Sequence, residues 1–342
     1  MADRQLKFLS ILSVFLLAGF ATSSFAQDSF YKGKNVRIIV GAAAGGGYDT
    51  YSRTIARHMG KHVPGNPTFV VDNMPGAGFL ISANHIYKVA KPDGLTIGHF
   101  IGGLFLQQFL GKPGVEFESV KFGFVGAPGQ DNYVMGISKS LGITSAEQWL
   151  SSKTVIKLGG VGAGSATDDI PKLLKEALGL PMQLVSGYSG TATVKLAFNG
   201  GEVQGVCNSW ESFKATWKNE LDSGNLIIVM QHVPKAHPDL PKVPIDITFA
   251  KTDEGKKLIR AIVHTVGPTA RPYVVPPGTP KDRVEILRKA FMDTMKDPEF
   301  LADAEKAKLD INPLDGASLE KAVHEVFNVD PTLVPKLKEI LK

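Results

Sequence analysis

The sequence predicts an α/β protein of two similar lobes. Short β-branched runs alternate with helical stretches at the spacing of strand–helix units, glycine-rich turns stand where strand passes to helix, and the pattern stops and restarts midway along the chain.

In order, Val36-Arg37-Ile38-Ile39-Val40 reads as a buried strand closed by glycine. A helical pattern runs from Tyr48 to His62, where Pro64-Gly65-Asn66-Pro67 ends it. Thr68 to Val71 is the next strand; Pro75-Gly76-Ala77-Gly78 follows, then a helix through Val89 and a strand at Leu95–Gly98. The restart begins with a strand at Val155–Leu158, the loop 159–165 and a helix from Asp168 to Leu178. Strands at 183–185, 203–207 and 226–230 follow, with a helix to Phe198 between the first two. The proline-rich stretch 234–244 reads as a return connection, and Pro276 to Pro280 opens a helical tail. Parallel, helix-covered sheets are expected, joined by crossings near Gln130 and Gln231. The division is 27–130 plus 232–342 for lobe one and 131–231 for lobe two.

The chain has 342 residues, enough for two domains. With 43% hydrophobic and 21% charged residues, wholesale disorder is excluded. Lys plus Arg number 38 against 33 Asp plus Glu, spread without long runs, so charge gives nucleic-acid binding no support. The single Cys207 excludes an internal disulfide and a cysteine-based metal cluster. No cofactor is expected.

The start carries an address. Arg4 and Lys7 precede an apolar stretch from Phe8 to Phe20, and Ser24-Phe25-Ala26 places small residues where a signal peptidase cuts. Residues 1–26 are therefore expected to be a cleaved signal peptide, too short in its apolar part for a membrane span. The mature chain is expected in the periplasm as a monomer.

Three loops could carry chemistry. Gly41-Ala42-Ala43-Ala44-Gly45-Gly46-Gly47-Tyr48-Asp49 joins a strand to a helix start, where free amides and the helix dipole favour an anion. Asp49 and Arg53, four residues apart, suit an ion pair. Gly159 to Asp168 repeats the arrangement with Ser165 and Thr167, and Gly187-Tyr188-Ser189-Gly190-Thr191 forms a third loop. A dinucleotide fingerprint is disfavoured by the glycine spacing, although Asp72 ends the second strand. A nucleophile elbow at Ser189 lacks its last glycine, so an exported serine hydrolase is the weaker alternative. His58 and His62 have a metal-ligand spacing but no acid between them, and read as a solvated helix face.

Together these segments, with Asp72-Asn73-Met74-Pro75-Gly76-Ala77-Gly78, Pro92-Asp93-Gly94 and Gly200-Gly201-Glu202-Val203, resemble the Bug-type receptors of tripartite tricarboxylate transporters over nearly all the mature chain. The resemblance implies a type II periplasmic binding protein without catalysis, whose lobes close on a di- or tricarboxylate or an aromatic carboxylate and deliver it to membrane transporter subunits in transient contact. A sensor acting on a signalling partner would use the same clamshell. Carried onto this sequence, the ligand-binding positions are Ala44, Gly45, Gly46 and Asp49 in lobe one, and Gly164, Ser165, Thr167, Tyr188, Ser189, Thr191 and Asn208 in lobe two. The chain departs from the family in its small residues at 41–44, in Ala166-Thr167-Asp168-Asp169 where a histidine is common, and in Asn208 where an aspartate is usual.

All three loops lack Arg and Lys. The expected grip is therefore by backbone amides, helix starts and hydroxyls, with Ser165→Ala weakening binding roughly ten- to a hundred-fold and Arg53→Ala altering stability more than affinity. N-terminal sequencing of the exported protein is expected to start near Gln27; a chain still beginning at Met1 would overturn the assignment of residues 1–26.

Overall fold

The computed structural model describes residues 30–263 and 266–341, so the expected signal segment and its cleavage point lie outside the described residues. The first lobe begins β1 (Asn35–Val40), α1 (Gly47–Met59), β2 (Thr68–Asn73), α2 (Leu80–Lys88), β3 (Thr96–His99), α3 (Gly103–Phe109) and β4 (Gly123–Ala127). Val36, Ile38, Ile39 and Val40 of β1 are all fully buried, as a strand covered by helices on both faces requires.

The chain then crosses into the second lobe: β5 (Tyr133–Ser138), α4 (Ala146–Ser151), β6 (Ile156–Gly159), α5 (Ala166–Leu178), β7 (Met182–Val185), α6 (Thr191–Asn199), β8 (Gly205–Ser209), α7 (Trp210–Thr216), α8 (Lys218–Asp222), β9 (Leu226–His232) and α9 (Asp253–Leu258). It returns through β10 (Tyr273–Val275), α10 (Lys281–Thr294), α11 (Pro298–Lys306), β11 (Leu314–Asp315) and α12 (Gly316–Val326), and ends in α13 (Val334–Ile340).

The sheets have orders β11-β4-β10-β3-β1-β2 and β7-β6-β8-β5-β9. Both are mixed, where wholly parallel sheets were expected. Parallel pairing holds for β2-β1-β3 and β7-β6-β8. In contrast, β10 runs antiparallel to β3 and β4, and β5 antiparallel to β8 and β9. Both inserted strands begin just after a crossing. A chain arriving from the other lobe enters at the end where the parallel strands leave, so its strand must run the opposite way.

The return crossing differs from the expected one near Gln231. The stretch 233–263 stays with the second lobe: Gln231 donates from Nε2 to the carbonyls of Leu240 and Val243, His232 Nδ1 lies 3.2 Å from Asp246 Oδ2, and Leu258 and Ile259 share a core with Leu173 and Leu174 of α5. The chain regains the first sheet only at β10, and the expected boundary at 232 moves there. The helical tail is likewise divided. Pro298 and Pro331 interrupt it at helix starts, and α13 goes back to the second lobe, where Leu337 joins the α5 core and Lys336 pairs with Glu176. His58 and His62 face acids of the α11 region, Asp303 at 3.0 Å and Asp297 at 2.7 Å.

The lobes touch in several places. Ala43 N donates to Ser189 O at 2.9 Å, and Lys214 meets Asp310 at 2.6 Å. Gly78 packs on Gly162 so closely that an added Cβ would lie 3.1 Å from the Gly162 backbone, and its φ of +61° also favours glycine. Gln107 of α3 donates to buried Asp169 of α5 at 2.9 Å.

Burial pushes the Asp169 carboxyl up to about 6, against bonds from Gly164 N and Gln107 that favour its charge. A carboxyl with a higher pKa folded than unfolded favours the native state at low pH, and that contribution, about 3 kcal/mol at most, is lost as pH rises from about 4 to 6. Asp169→Asn is therefore expected to raise the melting temperature at pH 8 and to leave it nearly unchanged at pH 4. An equal shift at both pH values would contradict this account.

Candidate functional site

Each glycine loop lies at the carboxyl end of a parallel strand, where open α/β sheets leave a crevice. In lobe one the Asp49 carboxylate turns back onto its own loop. It accepts from Gly45 N at 2.9 Å, Asn73 Nδ2 at 3.0 Å and Arg53 Nε at 2.9 and 3.0 Å. Burial opposes its ionisation, yet these partners outweigh burial and hold the carboxyl below its usual range.

Lobe two repeats the device. Asp168 accepts from Gly162 N at 2.8 Å and from Ser186, with Ser165 Oγ 3.3 Å away, while Asp169 accepts from Gly164 N at 3.1 Å. Ser165 Oγ also donates to Gly162 O at 2.5 Å and lies 2.7 Å from Thr167 Oγ1, which accepts from Val161 N. In the first two loops, one or two amides are thus already satisfied by carboxylates of the chain itself.

What remains lies between the lobes. A cavity of about 30 Å³, room for one or two waters, is lined by Ala42, Gly46, Gly47, Tyr48, Phe79 and Ile101 from lobe one. Tyr133, Val161, Ser165, Ala166, Thr167, Thr191, Asn208 and Ser212 line it from lobe two. Asp131 and Arg271, one from each crossing, complete the wall. Any solute larger than a water pair therefore enters only as the lobes part.

Of the expected positions, Gly46, Ser165, Thr167, Thr191 and Asn208 line this cavity. Ala44 and Gly45 are exposed, and Asp49 is a support behind its loop. Gly164 lines a neighbouring small cavity with Gln107's helix, Tyr188 points its hydroxyl at Glu202, and Ser189 offers its carbonyl to Ala43. Ser189 Oγ has Thr193 at 3.4 Å as its recorded partner.

Arg271 is the residue that sequence reasoning missed. It is 1% exposed, and its Nε donates to Asp131 Oδ1 at 2.6 Å. Nη2 donates to Ser209 and Ser212 at 3.0 and 2.8 Å. The guanidinium lies 4.8 and 4.5 Å from the rings of Tyr48 and Tyr51. Gly47 allows this approach, since a Cβ there would stand 3.1 Å from Ser212 Cβ and 3.5 Å from Arg271 Nη1. Nη1 itself has no partner, nor has Nδ2 of Asn208, which is 5% exposed. The three loops lack Arg, as the sequence shows, but the wall of this cavity includes Arg271 from the return crossing. It stands immediately before Pro272 and the three-residue β10, outside every glycine loop, so no local spacing pointed to it.

Neighbouring groups tune this centre. Burial and the Asp131 charge push the Glu211 carboxyl up to about 7, although Asn132 N and Nδ2 donate to it. Burial pulls His99 down to about 3, keeping a neutral ring stacked 4.1 Å from Tyr273 and tilted 4.8 Å from Tyr48.

Comparison with known proteins agrees with this architecture. The profile described as tripartite tricarboxylate transporter family receptor matches residues 52–338. The chain belongs to that family. A relative in Agrobacterium vitis, the UPF0065 protein in the TAR-I ttuE-ttuC' intergenic region, is 28% identical over 80% of this chain and 74% of its own length. The periplasmic binding protein BugD superposes with a TM-score of 0.73 at 23% identity, covering 91% of this chain and 97% of BugD. MatC of Rhodopseudomonas palustris, solved with malate, gives 0.71 at 19% identity over 90% of this chain and 99% of MatC. A second R. palustris protein, solved with adipate, gives 0.72 at 20% identity, covering 90% and 97%. These solved structures share the two-lobed fold seen here.

Removing one partner of a buried ion pair leaves an uncompensated charge, at about 3–5 kcal/mol. Asp131→Asn is expected to lower unfolding stability by that order, and the double variant Asp131→Asn/Arg271→Met to recover most of it. Urea unfolding checks this; a loss below about 1 kcal/mol in the single variant would remove the pair from the centre of the fold.

Proposed function

We propose that this chain is an extracytoplasmic receptor that binds a small organic carboxylate between its lobes and delivers it to membrane subunits of a tripartite tricarboxylate transporter. It binds without transforming the ligand, acts as a monomer, and reaches the periplasm after cleavage near Gln27. The observation that carries this reading is Arg271 Nη1, a charged donor buried in the inter-lobe cavity with no protein partner. A buried cationic N–H without an acceptor is costly, and a carboxylate oxygen removes that cost with a charge-assisted bond. The malate and adipate seen in family-like structures are of the same chemical class.

The cavity is too small for such a ligand at the present lobe separation, so binding proceeds by hinge opening and reclosure around the crossings. Ser165, whose hydroxyl is engaged within its own loop, supports the wall rather than grips the ligand.

Calorimetry on protein stripped of co-purified solute, against a panel of aliphatic and aromatic carboxylates, tests the reading. At least one carboxylate is expected to bind with a Kd below about 100 μM, with Ser165→Ala within threefold of wild type and a smaller radius of gyration in solution scattering. If no carboxylate binds, the receptor assignment fails. A tenfold loss in Ser165→Ala would return the grip to the lobe-two loop.

A further inference from the structure

We infer that the ligand carries a single carboxylate on a compact apolar body, with the carboxylate seated between Arg271 Nη1 and Asn208 Nδ2. This rests on the receptor reading and narrows it. Among the described residues, these are the two buried side-chain donors without a partner that line the inter-lobe cavity. One comes from the return crossing and the other from the end of β8, so an acceptor held by both bridges the hinge and lobe two. The start of α1 at Gly47, beside Nη1, adds helix amides that favour the same charge.

The rest of the wall adds the Thr191 hydroxyl, a neutral group that cannot balance a second charged head. Ser165 and Thr167 bond each other and their own loop, and Ser212 accepts from Arg271. The hydroxyl of Tyr48 donates to Ala270 O at 2.7 Å, and Tyr133 lies beside the Asp131 charge. These tyrosines present rings, alongside Phe79, Ile101 and Val161. Arg271 is the one cation among the lining residues, and Asp131 already balances it. A second carboxylate would meet the Asp131 charge with no cation of its own, in a desolvated space where like charges repel strongly. A ring or branched alkyl group instead finds aromatic and aliphatic surface.

Calorimetry with benzoate, cyclohexanecarboxylate, benzamide, succinate and adipate decides between these chemistries. Benzoate or cyclohexanecarboxylate is expected to bind at least tenfold more tightly than either dicarboxylate, and at least tenfold more tightly than the neutral benzamide. Asn208→Asp and Asn208→Leu are each expected to weaken the monocarboxylate at least tenfold while the melting temperature stays within a few degrees. Arg271→Lys should weaken it as well; because that variant also disturbs the pair with Asp131, the Asn208 variants carry the decision. Tighter binding of succinate or adipate, or unchanged affinity in both Asn208 variants, would overturn this inference and leave the carboxylate receptor standing. Binding of no carboxylate at all would end both.

Discussion

A buried guanidinium must be matched where it lies, and the ion pair between Arg271 and Asp131 meets that demand at the point where the chain passes between lobes. Asp131 stands on the outgoing crossing and Arg271 on the returning one, so their bond ties the two crossings together. Backbone bonds reinforce the tie, from Asp131 N to Gly267 O and from Gly102 N to Ala270 O. Because Nε faces Asp131 and Nη2 faces the start of α7, Nη1 is left directed at the cavity. The guanidinium is planar and rigid, so fixing two of its edges fixes the third. The joining of the two crossings and the free donor at the cavity wall thus follow from one interaction.

The glycine loops serve this centre indirectly. Two of the three are braced by aspartates of the following helix: Asp49 accepts from Gly45 N in lobe one, and Asp168 and Asp169 accept from Gly162 N and Gly164 N in lobe two. Satisfying these donors internally holds the two loops in shape without a ligand. Glu211 and His99, with pKa values displaced by burial, lie around the same core, one beside Asp131 and the other beneath Tyr48.

Much of the fold was legible because local pattern and tertiary demand coincide there. Val36 to Val40 is apolar on both faces and became β1; the Tyr48–His62 pattern became α1 and its terminal turn. Element ends moved by a residue or two, as at Gly205–Ser209, where 203–207 was expected. Strand β4 and the inserted strands β5 and β10 were not anticipated. Gly123 to Ala127 and Tyr133 to Ser138 carry glycines and polar residues that blur the alternation, and β10 has three residues. The stretch 234–244 looked like a connection because it is rich in proline; the bonds from Gln231 that hold it to lobe two span only ten or so residues but depend on backbone carbonyls, which leave no mark in side-chain pattern.

For the cavity, the sequence by itself determined where loop amides and hydroxyls would gather: glycine runs after strands place Gly46, Ser165, Thr167 and Thr191, and a strand end places Asn208, and all five reach the cavity. Local spacing also determined the Asp49–Arg53 pair, which the helix repeat enforces. Only the tertiary structure decided which donors stay free. Whether Asp168 fills its loop, and whether Arg271 meets an acid 140 residues away, depends on contacts between segments with no fixed spacing along the chain. Charge pairing inside a protein is a property of distance and burial in space, and a sequence lists the charges without either.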